Sequence, residues 1–233
     1  MSAARPTRVS PLRVLVLVVA ALAVLVGAVA VVRPLVVPAA VVAEPVFTPY
    51  VDVTATPAYE FQTPRNQYGQ DVTLAFVVAD GPTSCEPSWG GAYSLAAAED
   101  ALQLDRRIAA LRANGGDVRV SFGGQAGTEL ATACTDPAAL ASAYRAVVDR
   151  YDLTSIDLDV EGAGLADSAT SSRRAAAVAT LQAQRPVAVW LTLPTTPQGL
   201  TDQGVAALDA LLAAGVDVSG VNAMTFDFGA SKD

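Results

Sequence analysis

The chain has 233 residues, 52% of them hydrophobic, and a formal net charge of −8 with no histidine anywhere. That length suits one large domain or two small ones, and the apolar share is enough to fill a core. The acidic balance, with Lys232 the single lysine, speaks against nucleic acid, and the missing histidines remove Ser-His-Asp and Cys-His catalysis together with the usual zinc ligands.

Part of the apolar share sits in one run. Residues 14–32 are 19 uncharged apolar residues preceded by Arg5, Arg8 and Arg13. Such a run can span a bilayer, and the positive-inside rule keeps the arginines in the cytoplasm while the rest is exported. The expected segment is an uncleaved signal anchor. A cleaved signal peptide is the alternative, with Val41-Val42-Ala43 as its small-residue site. The expected organisation is a basic stub and membrane or signal segment over 1–33, a Pro- and Val-rich linker over 34–46, and a main domain over 47–233. That domain is placed outside the cytoplasm, tethered or secreted.

Past the linker, residues 50–54 and 72–78 read as strands, the second almost wholly apolar as buried parallel strands are. Residues 80–93, with Cys85 and Trp89, read as a loop at the end of the second strand. Trp89 there is either a stacking platform for a ligand or loop packing. A helix is expected over 99–113, with Ala101, Leu104, Ile108 and Leu111 on one face and Asn114-Gly115-Gly116 as its stop. A strand over 118–122 runs into Ser121-Phe122-Gly123-Gly124, where the glycines either let backbone approach a ligand or make a tight turn.

Asp136-Pro137 then opens a helix with Leu140, Tyr144, Val147 and Tyr151 on its buried face. Cys85 and Cys134 are the two cysteines, and in an exported chain they are expected to form one disulfide, with two buried thiols as the alternative.

The stretch Ser155-Ile156-Asp157-Leu158-Asp159-Val160-Glu161-Gly162 follows. In a strand, Asp157, Asp159 and Glu161 share one face and Ile156, Leu158 and Val160 the other. Three neighbouring carboxylates raise each other's pKa, so such a row is kept for chemistry or for a metal. The bland alternative is an edge strand with a solvated acidic face. A helix over 173–181 and a strand over 187–193, with Trp190 as core, come next. Thr201 caps a helix carrying Val205, Leu208, Leu211 and Leu212, which stops at Gly215. A last strand over 218–226 ends in Met224-Thr225-Phe226-Asp227.

About six strand-and-helix units with carboxylates at a strand end predict an α/β fold of the (β/α)8 barrel type, incomplete in this chain. No Gly-x-Gly-x-x-Gly follows the first strand, so no dinucleotide cofactor is expected. A metal site is disfavoured because hard cations also want carbonyl or Asn ligands arranged in a loop.

Three motifs in succession carry a resemblance. Asp157-x-Asp159-x-Glu161, Ser121-x-Gly123-Gly124 and Met224-x-Phe226-Asp227 together resemble the signature of the family 18 glycoside hydrolases, the chitinase family. Thr154 stands where the fuller acidic motif has another Asp, and Phe226 where the last motif has Tyr. The resemblance implies hydrolysis of β-1,4-linked N-acetylglucosamine polymers such as chitin, with the sugar's own acetamido oxygen as nucleophile. Glu161 would be the general acid, Asp159 would hold the acetamido N–H and stabilise the oxazolinium ion, and Asp157 would modulate a shared proton with Ser121 as partner. Asp227, Met224, Ser121, Gly123, Gly124 and Trp89 are the implied substrate-binding residues. An endo-β-N-acetylglucosaminidase, or a non-catalytic chitin-binding lectin on the same barrel, is the alternative. Since a closed barrel needs eight strands, the chain is also expected to be a C-terminally truncated member, with activity impaired by that and by Phe226.

Overall fold

The computed structural model describes residues 47–64 and 70–226, together with Leu12, Leu15 and residues 18–21, which are helical. The chain divides into two units, Met1–Val46 and Phe47–Asp233. Among the described residues no helix is long and apolar enough to cross a membrane. Most of the run 14–32, the expected linker and Asp227 lie outside the described residues.

In the second unit the β-branched runs become strands. β1 (Tyr50–Asp52) is followed by β2 (Val72–Ala79), whose sequence VTLAFVVA is buried along nearly its whole length. Strands covered on both faces have no solvent side to give to polar residues, which is why this one lacks alternation. The expected loop after β2 instead contains an antiparallel extension of the sheet, β3 (Pro87–Trp89) and β4 (Tyr93–Ser94).

The helix expected over 99–113 is two helices, α1 (Ala97–Leu102) and α2 (Leu104–Ala113). Gln103 between them is left-handed at φ 53°, and the Glu99 carboxylate accepts from Asp105 N–H at 2.8 Å, satisfying a donor that the break leaves free. β5 (Val118–Gly123) leads into a short turn of helix, α3 (Leu130–Ala133), and then α4 (Pro137–Arg150). Asp136 caps α4 by accepting from Ala138 N–H, with Pro137 at the first helical position, as the sequence predicts.

β6 (Ser155–Asp159) is followed by α5 (Gly162–Ala166) and α6 (Ser168–Gln184). α6 starts earlier than the expected 173 because Asp167 caps it, accepting from Ala169 and Thr170 N–H. β7 (Ala188–Thr196), the short β8 (Gly199–Leu200), α7 (Asp202–Ala213) and β9 (Val218–Met224) complete the unit. Thr201 caps α7 as expected.

The strands β1, β2, β5, β6, β7 and β9 pair in parallel in that order, so successive βα units lie side by side. β6 is therefore central, flanked by β5 and β7, and the solvated edge-strand alternative is excluded. Its Ile156 and Leu158 are buried within the apolar core, in which Phe122 also meets Tyr144 edge-on at 5.0 Å between centroids. Trp190, expected as apolar core, is half-buried in register with Asp157, and the Arg119 guanidinium lies 4.5 Å from its ring centroid.

Cys85 and Cys134 are bridged, tying the loop after β2 to the end of α3 across 49 residues of sequence.

Candidate active site

The parallel register brings the site together. Ser121 on β5 pairs with Asp157 on β6, Gly123 pairs with Asp159, and Asp159 pairs with Thr192 on β7. Paired residues in neighbouring strands share a face, so hydroxyls from β5 and β7 flank the acidic row. Asp157 is fully buried. Its Oδ2 accepts from Ser121 Oγ at 2.7 Å and from Tyr50 Oη at 3.0 Å, and its Oδ1 accepts from Thr192 Oγ1 at 2.7 Å. Asn222 on β9 donates to Thr192 Oγ1 at 3.0 Å, which leaves the threonine proton for Asp157. Tyr50 Oη also lies 2.8 Å from that threonine oxygen.

Burial raises the pKa of Asp157, while the three hydroxyls and the charge of Arg119 pull against it. Asp159 has no such hydroxyl set. Burial, and then the charges of Glu161, Asp157 and Glu129, push its pKa up to about 8. Its Oδ1 is buried without a hydrogen-bond partner among the described residues. Glu161, half-buried at the end of the strand where α5 begins, is raised by burial alone. The row thus grades outward, from a hydrogen-bonded carboxylate through a proton-holding one to one with access to solvent. That gradient suits an acid at the outer end.

The glycine pair also has a packing role. Gly123 is at φ +104°, and a side-chain carbon there would lie 2.1 Å from the Asp159 carbonyl oxygen; Gly124 N–H donates to that same oxygen at 2.9 Å. Gly123 admits the backbone of the acidic strand closely, and Gly124, at φ +82°, the Phe76 ring, which a side-chain carbon would meet at 2.9 Å. Gly124, Gln125, Thr128, Glu129, Thr132 and Glu161 line part of a cavity of about 350 Å³. Met224 ends β9, and its carbonyl accepts from Thr195 Oγ1 at 2.8 Å. Phe226 is 64% exposed, and its partner in the motif, Asp227, is outside the described residues.

Trp89 is not a ligand platform. Its ring is fully buried on β3, its Nε1 donates to Tyr151 Oη at 2.9 Å, and it packs edge-on to Tyr151. The hairpin that sequence pattern missed is what turns it inward. Sequence reasoning also passed over Tyr50, Thr192, Asn222 and Glu129. Thr192 carried a signal, since it stands two residues from Trp190 and so on the same face of β7. Tyr50 and Glu129 carried none, because only the strand order brings them near the row.

No family model matches the chain. Curated relatives include the probable bifunctional chitinase/lysozyme of Escherichia coli (strain K12), 38% identical over 190 residues, which are 79% of this chain and 21% of that protein. Endochitinase 11 of Metarhizium anisopliae is 37% identical over 191 residues, 79% of this chain and 35% of the relative. The chain therefore spans about a fifth to a third of the curated relatives it matches. Among solved structures, the catalytic domain of a hyperthermophilic chitinase from Pyrococcus furiosus superposes with a TM-score of 0.67 at 30% identity, covering 78% of this chain and 57% of that one.

Proposed function

We propose that the chain is a member of the chitinase family of glycoside hydrolases, family 18, and that it hydrolyses β-1,4-linked N-acetylglucosamine polymers by a substrate-assisted retaining reaction. One observation supports this reading above the rest: Asp157, held by three hydroxyls, and Asp159 stand on one face of the central strand, with Glu161 just past its end. A solved structure of catalytic-site mutants of the Pyrococcus furiosus chitinase domain is a complex with chito-oligosaccharides.

Glu161, at the solvent-facing end of the row, gives its proton to the glycosidic oxygen. Asp159 Oδ1, the buried oxygen without a partner, accepts the acetamido N–H, which turns the acetamido oxygen toward the anomeric carbon. As the oxazolinium ion forms, positive charge develops beside Asp159, and its proton passes inward to Asp157, one of whose three hydroxyl partners turns from donor to acceptor; the negative charge this leaves on Asp159 faces the ion. Water then opens the ring, with Glu161 acting as base. Phe226 has no hydroxyl to offer the acetamido group.

The test is turnover of a chromogenic chitobioside by the 233-residue chain and by Glu161→Gln. Turnover by the wild type, a loss of at least about a thousandfold in the variant with binding retained, and no reaction on glucose analogues lacking the acetamido group are expected. Equal rates on cello- and chito-oligosaccharides would sink the substrate-assisted step. Binding of chito-oligosaccharides without turnover by either chain favours the lectin.

The same reading places the domain outside the cytoplasm on a membrane tether over 14–32. The arginine-flanked apolar run supports that placement, as does the Cys85–Cys134 disulfide, a bond that persists in oxidising compartments.

A further inference from the structure

Behind the acidic row lies a buried ion pair that none of the motifs contains. Glu129, just ahead of α3, accepts from Arg174 of α6 at both oxygens, Nε to Oε1 at 2.6 Å and Nη2 to Oε2 at 2.7 Å. The side chains are 11% and 2% exposed. Replacing a pair this deep with apolar residues is often neutral or stabilising, so stability alone is a weak reason to keep it.

Its position gives a better one. The same Arg174 Nη2 donates to the carbonyl of Gly164 at 2.9 Å, in α5, three residues beyond Glu161. Gly164 meets Glu129 so closely that a side-chain carbon there would lie 2.2 Å from Oε2. The neighbouring Arg173 donates to Ala131 O at 2.9 and 2.6 Å, so α6 grips the turn bearing Glu129 at two points. Glu129 and Glu161 line the same cavity.

The geometry points to Glu129 and Arg174 as positioning residues for the acid: the pair clamps the turn from Glu161 to Gly164 and so fixes where the Glu161 carboxyl stands in the cavity that both glutamates line. This rests on the hydrolase reading of the row. The clamp is also electrically coupled to it. The charges acting on Asp159 are those of Glu161 just past the end of its strand, Asp157 on the strand and Glu129 after β5, with the Tyr50 hydroxyl from β1 also coupled to it; Arg119 stands beside Asp157 and Arg174 beside Glu129. Removing the Glu129 charge takes away one of the causes that hold Asp159 protonated and leaves Arg174 unbalanced, so Asp159 then ionises at lower pH.

The experiment compares Glu129→Gln, Arg174→Lys and Gly164→Ala with the wild-type chain. It reads kcat and KM on chito-oligosaccharides, and the carboxyl titration of the row by carbon-13 NMR. Glu129→Gln is expected to lower kcat by about tenfold to a hundredfold with KM changed less than about twofold, and to move the Asp159 titration to lower pH. Gly164→Ala keeps every charge and displaces the clamp, so it is expected to lower kcat with the titration in place. Arg174→Lys keeps the charge without the two-point geometry and should behave like Gly164→Ala.

A folded Glu129→Gln with wild-type kcat and an unmoved titration overturns the proposal. If Glu129→Gln does not fold, wild-type kcat in both other variants overturns it. If the wild-type chain turns over no chito-oligosaccharide, the hydrolase reading falls by itself. The NMR arm then decides the clamp: a moved Asp159 titration with shifted amides at 161–164 upholds it, and unchanged spectra remove it.

Discussion

Asp159 costs the fold stability wherever it is ionised. Its pKa rises from the ordinary 3.8 to about 8 in the folded chain, so between those values the folded state binds more protons than the unfolded one. Stability must then fall as pH rises from about 4 to about 8, and stay low above. Asp159→Asn removes the ionisable group while keeping its shape. The variant is expected to be the more stable by a few kcal/mol at pH 8, to lose that advantage near pH 4, and to be catalytically dead. Thermal unfolding of both proteins across that range checks it; parallel curves of melting temperature against pH would refute the assignment. Asp157 and Asp159 were legible as a pair because a period of two places them on one face of β6, and Glu161 follows just past the strand's end, where α5 begins. What each carboxylate does was not legible. The difference between Asp157 and Asp159 comes from hydroxyls on β1, β5 and β7, and no local pattern says which strands will be neighbours.

At the scale of elements, the disulfide and the two α6 arginines anchor one segment, the turn from Gly123 to Cys134, to two different parts of the unit, the loop after β2 and α6. Opening the bridge frees a loop of 49 residues' separation, for which chain entropy gives a loss of about 2 to 4 kcal/mol. Replacing Cys85 and Cys134 with serine should lower the denaturant midpoint accordingly and steepen the transition, because the unfolded chain without the bridge is more expanded. An unchanged midpoint would mean that the segment is held by its other contacts alone. The long parallel strands and the capped helices α4 and α7 were legible, since apolar runs and Asp-Pro or Thr caps act locally. The hairpin β3–β4 was hidden because strands of two and three residues have no measurable periodicity. The division at Gln103 was hidden because its left-handed backbone is met by a carboxylate four residues upstream, not by a glycine. That same hairpin misled the reading of Trp89: an aromatic in a Gly-rich loop looks exposed until the loop proves to be sheet.

Across the whole sheet, hydrogen bonding is uneven. β5, β6 and β7 are paired on both sides, whereas among the described residues β1 and β9 are each paired on one. β9 alternates half-buried and exposed positions along its entire length. Native-state hydrogen exchange should find the β6 amides opening only with global unfolding, and those of β9 exchanging at least about a hundredfold faster through local opening. Equal protection in the two strands would show that the sheet opens as one unit. The two tryptophans of the chain stand at opposite ends of this range of environments. Trp89 is sealed and tied to Tyr151; Trp190 is half-buried beneath a guanidinium, in register with the innermost carboxylate. Its ultraviolet emission is therefore a built-in dual gauge. The blue-shifted component follows the integrity of the fold, and the red-shifted one responds to whatever occupies the carboxylate face, so occupancy and unfolding are readable in a single cuvette without any attached dye.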